Sequence, residues 1–189
     1  MPFTYQNRRG HIYYFKQGLT KTGKPKYYAT KDSTGELLEE LPDQFEIYES
    51  PSDAAVVLRK KVFSLFADEE VGLVKDAIEK LSDASVYIID LKERYLTIYL
   101  GCTDKKELAE YMRSFGSFSR AKINEILAQQ QYFSPEMRFA KENNNYVVER
   151  WCHLGSIDKW IFITHSTDLS KLAKKYCYHL GRESFYELI

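Results

Sequence analysis

The sequence has no apolar run near the roughly 20 residues that a membrane-spanning helix requires. Its basic N-terminus, MPFTYQNRRG, is not followed by the apolar stretch of a secretory signal. Cysteine is scarce, with only Cys102, Cys152 and Cys177, all widely spaced. An odd number of cysteines without an export signal is typical of free thiols in a reducing compartment. We therefore expect a cytoplasmic protein that does not enter membranes.

Net charge is also lacking, because 27 basic residues balance 27 acidic ones. A balanced chain with 44% hydrophobic residues is neither a histone-like polycation nor a disordered polyelectrolyte. Its 189 residues suffice for one medium domain, or for a small module joined to a larger one. Tyrosine, in contrast, is abundant, with 15 residues, and tyrosines serve cores, sheet faces and binding surfaces.

The short motifs of common catalytic and cofactor sites are missing as well. The chain has no G-x-S-x-G nucleophile elbow, no phosphate-binding loop and no dinucleotide-binding fingerprint. Its cysteines and histidines form neither a Cys-x-x-Cys pair nor a pair of histidines four residues apart. We expect no metal site and no cofactor.

The pattern of apolar and turn-forming residues predicts an α+β fold with two domains. Residues 1–62 predict a small antiparallel β-module, with strands at 12–17, 26–30, 45–48 and 55–58. Residues 63–189 predict a larger mixed domain of antiparallel strands and about four helices. Its strands are expected at 86–91, 95–100, 137–140, 146–153 and 160–164. Its helices are expected at 68–81, from 103 or 104 to 116, from 119 onward, and at 167–180.

Charge is divided sharply within the first third of the chain. No acidic residue precedes Asp32, whereas seven basic residues lie between Met1 and Lys31. From Asp32 to Leu58 the chain holds eight acidic residues and no lysine or arginine. Such asymmetry is an electrostatic signal about binding partners rather than about fold.

The basic segment is predicted to form a hairpin that presents tyrosine and lysine side by side. Alternate side chains of a strand share a face, so Tyr14 and Lys16 lie together, as do Lys26 and Tyr28 on the partner strand. Aromatic platforms flanked by cations are a recurring solution for binding nucleic acid without sequence preference. If about five of these cations neutralised phosphates, the log–log salt slope on a duplex would be roughly −4.5. The residues expected to contact nucleic acid are Arg8, Arg9, Tyr14, Lys16, Lys21, Lys24, Lys26 and Tyr28.

Structural explanations exist for the same residues. Tyrosines favour strands, and lysines keep sheet edges from pairing with other chains. The acidic segment could also fold back and neutralise the basic hairpin. A further alternative is a protein-interaction or assembly module, in which the two charged halves meet complementary subunits or a second copy of the chain.

A catalytic alternative rests on polar residues near the C-terminal third. Glu149 and His153 are four residues apart on one predicted strand, and Asp158 follows the next turn. Such carboxylates could hold a divalent metal for phosphodiester hydrolysis. However, the segment ERWCHLGSIDKW does not show the spaced acids and lysine of a nuclease. Pairing of glutamate and arginine across a hairpin would explain the same residues without a reaction.

Three segments resemble parts of bacterial proteins that have no assigned activity. They are TKTGKPKYYATKDSTGELLEELPDQFEIYESP near the N-terminus, and ERWCHLGSIDKW and HLGRESFYELI towards the C-terminus. The resemblance covers both ends of the chain. It implies a bacterial protein with a repeated N- and C-terminal architecture. It implies no activity, cofactor or partner, and it assigns a role to no residue.

Overall fold

The computed structural model describes residues 1–101, 131–154 and 157–188, with the backbone alone at positions 153, 154 and 157. The described residues fall into two compact units. The first unit comprises Met1–Lys61 together with Gln131 and Tyr132. The second comprises residues 62–101 and 133–188.

The first unit contains five short antiparallel strands arranged in two sheets. β1, β2 and β3 form a three-stranded sheet in sequence order, and β4 pairs with β5. The bounds are β1 Thr4–Gln6, β2 Ile12–Leu19, β3 Pro25–Thr30, β4 Phe45–Glu49 and β5 Val56–Lys60. The module was expected to be one sheet. It divides into two sheets because the segment after β3 folds back along the first sheet. There the Leu38 amide donates to the Phe15 carbonyl (2.8 Å), and the Phe3 amide donates to the Leu38 carbonyl (2.8 Å).

The second unit is a five-stranded antiparallel meander with two α-helices on one face. The strands lie side by side in the order β10-β9-β8-β7-β6. Their bounds are β6 Tyr87–Lys92, β7 Tyr95–Gly101, β8 Phe133–Glu142, β9 Asn145–Leu154 and β10 Ile157–Ser166. The helices are α1 Asp68–Leu81 and α2 Leu169–Cys177, and a 3-10 helix spans Glu183–Glu187.

The core of the second unit lies between the helices and one face of the sheet. From the sheet it takes alternate side chains, such as Met137 and Phe139 with Val148 opposite, all fully buried. From the helices it takes residues at helical spacing, including Val74 and Ile78 of α1. Alternation on the strands and a 3.6-residue period on the helices thus put both apolar faces into one core.

The prediction of about four helices is wrong for the part of the chain that the structure describes. That part holds two α-helices, and 44% of it is strand against 18% helix, so antiparallel sheet dominates an α+β fold. One reason is that β8, β9 and β10 are each ten residues long and longer than predicted. The final helix is also shorter, because α2 ends at Cys177 rather than at residue 180. The helices predicted from residues 103 or 104 and from 119 lie outside the described residues.

The two described cysteines are free and buried, as expected from their number and spacing. Burial raises the pKa of the Cys177 thiol to about 12, so this group stays protonated in the core. Cys102 lies outside the described residues. Within the described ranges, no helix is both long enough and apolar enough to cross a membrane.

Candidate nucleic-acid interface

The strand register places the predicted tyrosines and lysines on one face of the β2–β3 hairpin. Lys16 lies directly opposite Tyr28, and Gly18 lies opposite Lys26. Tyr14 lies one pair further along, opposite Thr30. Directly opposite residues of an antiparallel pair share a face, so Tyr14, Lys16, Lys26 and Tyr28 lie on the same side.

The other face of the hairpin is occupied by packing. Phe15 is fully buried there, and its ring centroid lies 5.6 Å from that of Phe3. Tyr27 contacts Phe45 of β4 at 5.1 Å between ring centroids. The hairpin therefore has one face committed to the core of the first unit and one face turned away from it.

Arg8 is engaged by the acidic segment. Its Nη1 donates to Glu49 Oε1 (2.8 Å) and to the Ser50 carbonyl (2.8 Å), and its Nη2 donates to the Pro51 carbonyl. The Tyr5 hydroxyl donates to the other oxygen of Glu49 (2.9 Å). Burial and this bond to an anion raise the pKa of Tyr5. Arg8 thus joins the turn after β1 to the turn after β4, and it is not open to a phosphate.

Lys16 is also neutralised within the unit. Its Nζ donates to Asp32 Oδ2 (2.7 Å), and only 15% of its side chain is exposed. The bonds to Asp32 from Lys16 and from Thr34 hold the pKa of that carboxyl far below its usual range. The expected fold-back of the acidic segment therefore occurs at Arg8 and at Lys16.

Arg9 has a different neighbour. Its guanidinium carbon lies 4.6 Å from the ring centroid of Tyr132. The sequence had assigned no role to Tyr132. The backbone amide of Arg9 is held by the Asn7 side chain (3.1 Å), whose own Nδ2 donates to the Ala54 carbonyl (2.8 Å). Arg9 lies in this polar turn rather than on the hairpin face.

Three lysines remain uncommitted at the far end of the hairpin. Lys21, Lys24 and Lys26 are exposed, and the structure shows no ion pair from any of them to a described residue. The loop that carries Lys21 and Lys24 is closed by the Thr20 amide donating to the Lys24 carbonyl (2.8 Å), and Lys26 follows in β3. Gly23 adopts a φ of 76°, which a residue with a side chain adopts only with strain. The loop thus holds these cations on an ordered turn.

Tyr28 provides an aromatic surface on the same face of β3 as Lys26. A Cβ placed on Gly18 would lie 3.4 Å from the Tyr28 ring, so the ring lies against the backbone at Gly18. Tyr28 is nevertheless 40% exposed. The ring therefore approaches the sheet at Gly18 and keeps part of its surface accessible. The sequence did not single out Gly18, although a glycine inside a strand pattern often indicates close approach of another group.

The structure keeps apart Glu149 and Asp158, the two carboxylates of the catalytic alternative. Glu149 pairs with Arg138 across the β8–β9 hairpin (Nε to Oε2, 2.6 Å), and that guanidinium lies between the rings of Tyr95 (4.2 Å) and Trp160 (4.3 Å). Pairing of glutamate with arginine across a hairpin is thus confirmed. Asp158 lies opposite position 153, whereas Glu149 lies opposite Phe162, about 13 Å further along β10 at 3.3 Å per residue. The side chain of His153 lies outside the described residues.

Among the described residues, no group of three or more histidine, cysteine, aspartate or glutamate side chains could hold a metal ion. The candidate interface is the end of the β2–β3 hairpin, where Tyr28 and Lys26 share a face of β3 and Lys21 and Lys24 lie in the adjoining loop. Comparison of the chain with protein-family models, with curated proteins and with solved structures finds no match.

Proposed function

We propose that this chain is a cytoplasmic, non-catalytic nucleic-acid-binding protein that uses the end of its β2–β3 hairpin. Lys21, Lys24 and Lys26 would contact phosphates, and the free side of the Tyr28 ring would stack on an unpaired base. The observation that supports this most is an exposed tyrosine ring, close to Gly18, on a hairpin whose end carries three exposed lysines without counter-ions among the described residues.

The geometry favours single-stranded nucleic acid over a duplex. A ring supported by backbone on one side offers its other side to the face of a base, and only an unpaired base exposes that face. Stacking of this kind contributes about 1–3 kcal/mol per base and tolerates any base. Tyr14 shares the face of Tyr28 and is a candidate for a second base.

The number of available cations is smaller than the sequence suggested. Arg8 and Lys16 are paired with Glu49 and Asp32, and Arg9 lies in the turn against Tyr132, which leaves Lys21, Lys24 and Lys26. With three phosphate contacts, the log–log salt slope on a single strand would be about −2 instead of the steeper value expected from five contacts. Weak binding that depends moderately on salt is the expected behaviour.

The test is fluorescence anisotropy of the full chain with short single-stranded DNA and RNA and with matched duplexes, over a salt series. Replacing Lys21, Lys24 and Lys26 together with serine should flatten the salt slope and weaken binding by at least tenfold. Tyr28→Leu keeps an apolar side chain but removes the π-face, and it should weaken binding to single strands by about tenfold without changing the slope.

A matched control is available on α2, where Lys171, Lys174 and Lys175 are also exposed lysines on an ordered element. Their replacement with serine removes the same amount of charge. If binding depends on where the lysines lie rather than on net charge, this variant should keep its affinity within about twofold of the parent chain. Equal losses in the two triple variants would show non-specific attraction and would refute the proposal. Absence of binding at low salt would refute it too.

A further inference from the structure

The five-stranded sheet of the second unit divides into two branches at one end. The β8–β9 ladder ends at the pair Met137–Arg150. Beyond that pair, β8 continues with β7 as far as Phe133 opposite Gly101. On the other side, β9 continues with β10 as far as Leu154 opposite Ile157. Strands that are no longer paired diverge, so a cleft opens between the first residues of β8 and the last residues of β9.

A cavity of about 670 Å³ occupies this cleft. Its volume lies within the range of roughly 300–1,000 Å³ that is usual for small-molecule sites. One wall is the start of β8 and the other is the end of β9, and Tyr186 of the 3-10 helix contributes from the side. Its charged lining residues are Glu136, Arg150 and Asp158, its aromatic ones are Phe133, Trp151 and Tyr186, and Cys152 lies in the same wall.

Glu136 is directed by an irregularity of β8. Ile98 lies opposite Met137, and the next residue of β7, Tyr99, lies opposite Pro135, so Glu136 is the extra residue of a β-bulge. Bulges re-aim a side chain out of the regular alternation of a strand, and they are common next to binding sites. Burial raises the pKa of Glu136, against the opposing effect of a hydrogen bond from the Ser134 hydroxyl (3.0 Å).

Glu136 and Arg150 line the same cleft without bonding to each other. Arg150 uses its Nε on the Leu188 carbonyl (2.5 Å), which leaves the two terminal nitrogens of the guanidinium. No described cation forms an ion pair with Glu136. A carboxyl and a guanidinium that share a cavity but stay apart can both be satisfied by a molecule that carries the opposite charge at each end.

We propose that this cleft binds a small zwitterion of the amino-acid or dipeptide class, with its ammonium group on Glu136 and its carboxylate on Arg150. Trp151, Phe133 and Tyr186 would contact an apolar or aromatic side chain of the ligand. A neutral ligand would leave Glu136 and Arg150 without a charged partner, and a ligand with one charge would satisfy only one of these two groups. Asp158, the third charged group of the lining, is already engaged within the protein. This site is separate in the chain from the β2–β3 hairpin, and it does not depend on nucleic-acid binding.

The test is thermal unfolding of the full chain in the presence of the free amino acids and a panel of dipeptides at millimolar concentration. At a saturating concentration, the best ligand should raise the melting temperature by about 5 °C or more. Its N-acetyl derivative, which lacks the ammonium group, and its methyl ester, which lacks the carboxylate, should each lose most of this shift. Absence of a shift with every compound, or equal shifts with the blocked derivatives, would overturn the proposal.

Glu136→Gln keeps the shape of the side chain and should abolish the ligand-induced shift. Its control is Glu142→Gln, at the opposite end of the same strand and outside the cleft, which should keep the full shift. A shift retained in Glu136→Gln would contradict the assignment of the ammonium group.

Cys152 gives a second readout, because this residue lines the cleft and is 4% exposed, whereas Cys177 is fully buried in the core and serves as an internal reference for opening of the fold. The ligand should slow alkylation of Cys152 several-fold relative to Cys177, as followed by peptide mass spectrometry. Unchanged relative rates would place the ligand elsewhere and overturn the proposal.

Discussion

Each unit is stabilised internally by a different kind of interaction. In the second unit, sixteen buried residues form one apolar cluster between two helices and a sheet. Among the described residues of the first unit the buried apolar side chains include Phe15, Ala54, Val56 and Pro51, and the buried Asn7 bonds to the Ala54 carbonyl. Distant segments of the first unit are joined instead by polar bonds such as those from Arg8 to Glu49 and to the carbonyls after it.

This difference shows how one set of similar residues acquires two roles. In the first unit, basic side chains near an acidic turn serve as structural connections, and those at the end of the hairpin stay available. In the second unit the charged groups lie around a large apolar core. The first unit should therefore respond most to polar substitutions, and the second to apolar truncations.

The largest effect is expected from truncation in the core of the second unit. Phe139 is fully buried between the sheet and the helices, so Phe139→Ala should lower the free energy of unfolding by about 3–5 kcal/mol. Phe162→Ala is the control, because this residue of β10 is 55% exposed and should lose well under half as much. Urea denaturation measures both variants. Similar losses in the two would show that the apolar cluster does not dominate this unit.

An intermediate effect is expected from one polar substitution in the first unit. Glu49→Gln removes the charge that accepts bonds from Arg8 and Tyr5, and it should cost about 2 kcal/mol. The cost should appear in hydrogen exchange as reduced protection of β1 and β4, with β8 unchanged. Glu36→Gln serves as control, because this exposed carboxylate of the same acidic segment should change protection very little. Equal protection in both variants would mean that Arg8 and Glu49 do not join the two turns.

The smallest effect is a pair of opposite pH dependences within the second unit. Glu70 is penalised by burial, but bonds from Lys141 (2.8 Å), the Tyr146 hydroxyl and the Ala67 amide outweigh this and lower its pKa. Its stabilisation is therefore present above its ordinary pKa of 4.5 and is lost as the pH falls through the folded value. Glu70→Gln should cost roughly 1–2 kcal/mol near neutral pH and less in acid.

Glu136 should behave in the opposite way. Because burial raises its pKa, its contribution is favourable below the ordinary value of 4.5 and is lost as the pH rises through the folded value. Glu136→Gln should therefore be more stable than the parent chain near neutral pH and equal to it in acid. Thermal unfolding of both variants across this pH range measures the two signs. The same sign in both would show that burial does not govern Glu136.

The regular elements were largely predictable, because periodicity alone signals them. The strands from β2 to β7 and helix α1 lie within a few residues of the predicted ranges. The start of β8 was missed, since Pro135 interrupts its apolar pattern, although a proline in a strand is itself a sign of an edge or a bulge. Glu136 was overlooked for the same reason. Helix α2 begins at Leu169 rather than at the predicted residue 167, because Asp168 caps it by accepting a hydrogen bond from the Lys171 amide (2.9 Å).

The sequence by itself determined the class of the fold, the two-faced hairpin and the separation of basic from acidic residues, because these depend on local spacing. Only the tertiary structure decided which charges remain available. Arg8 and Lys16 are neutralised by Glu49 and Asp32, partners that lie 41 and 16 positions away in the chain. Likewise, the cleft beside Glu136 exists because β8 leaves β9 after the Met137–Arg150 pair. Long-range pairing depends on how strands meet in space, and no local pattern encodes it.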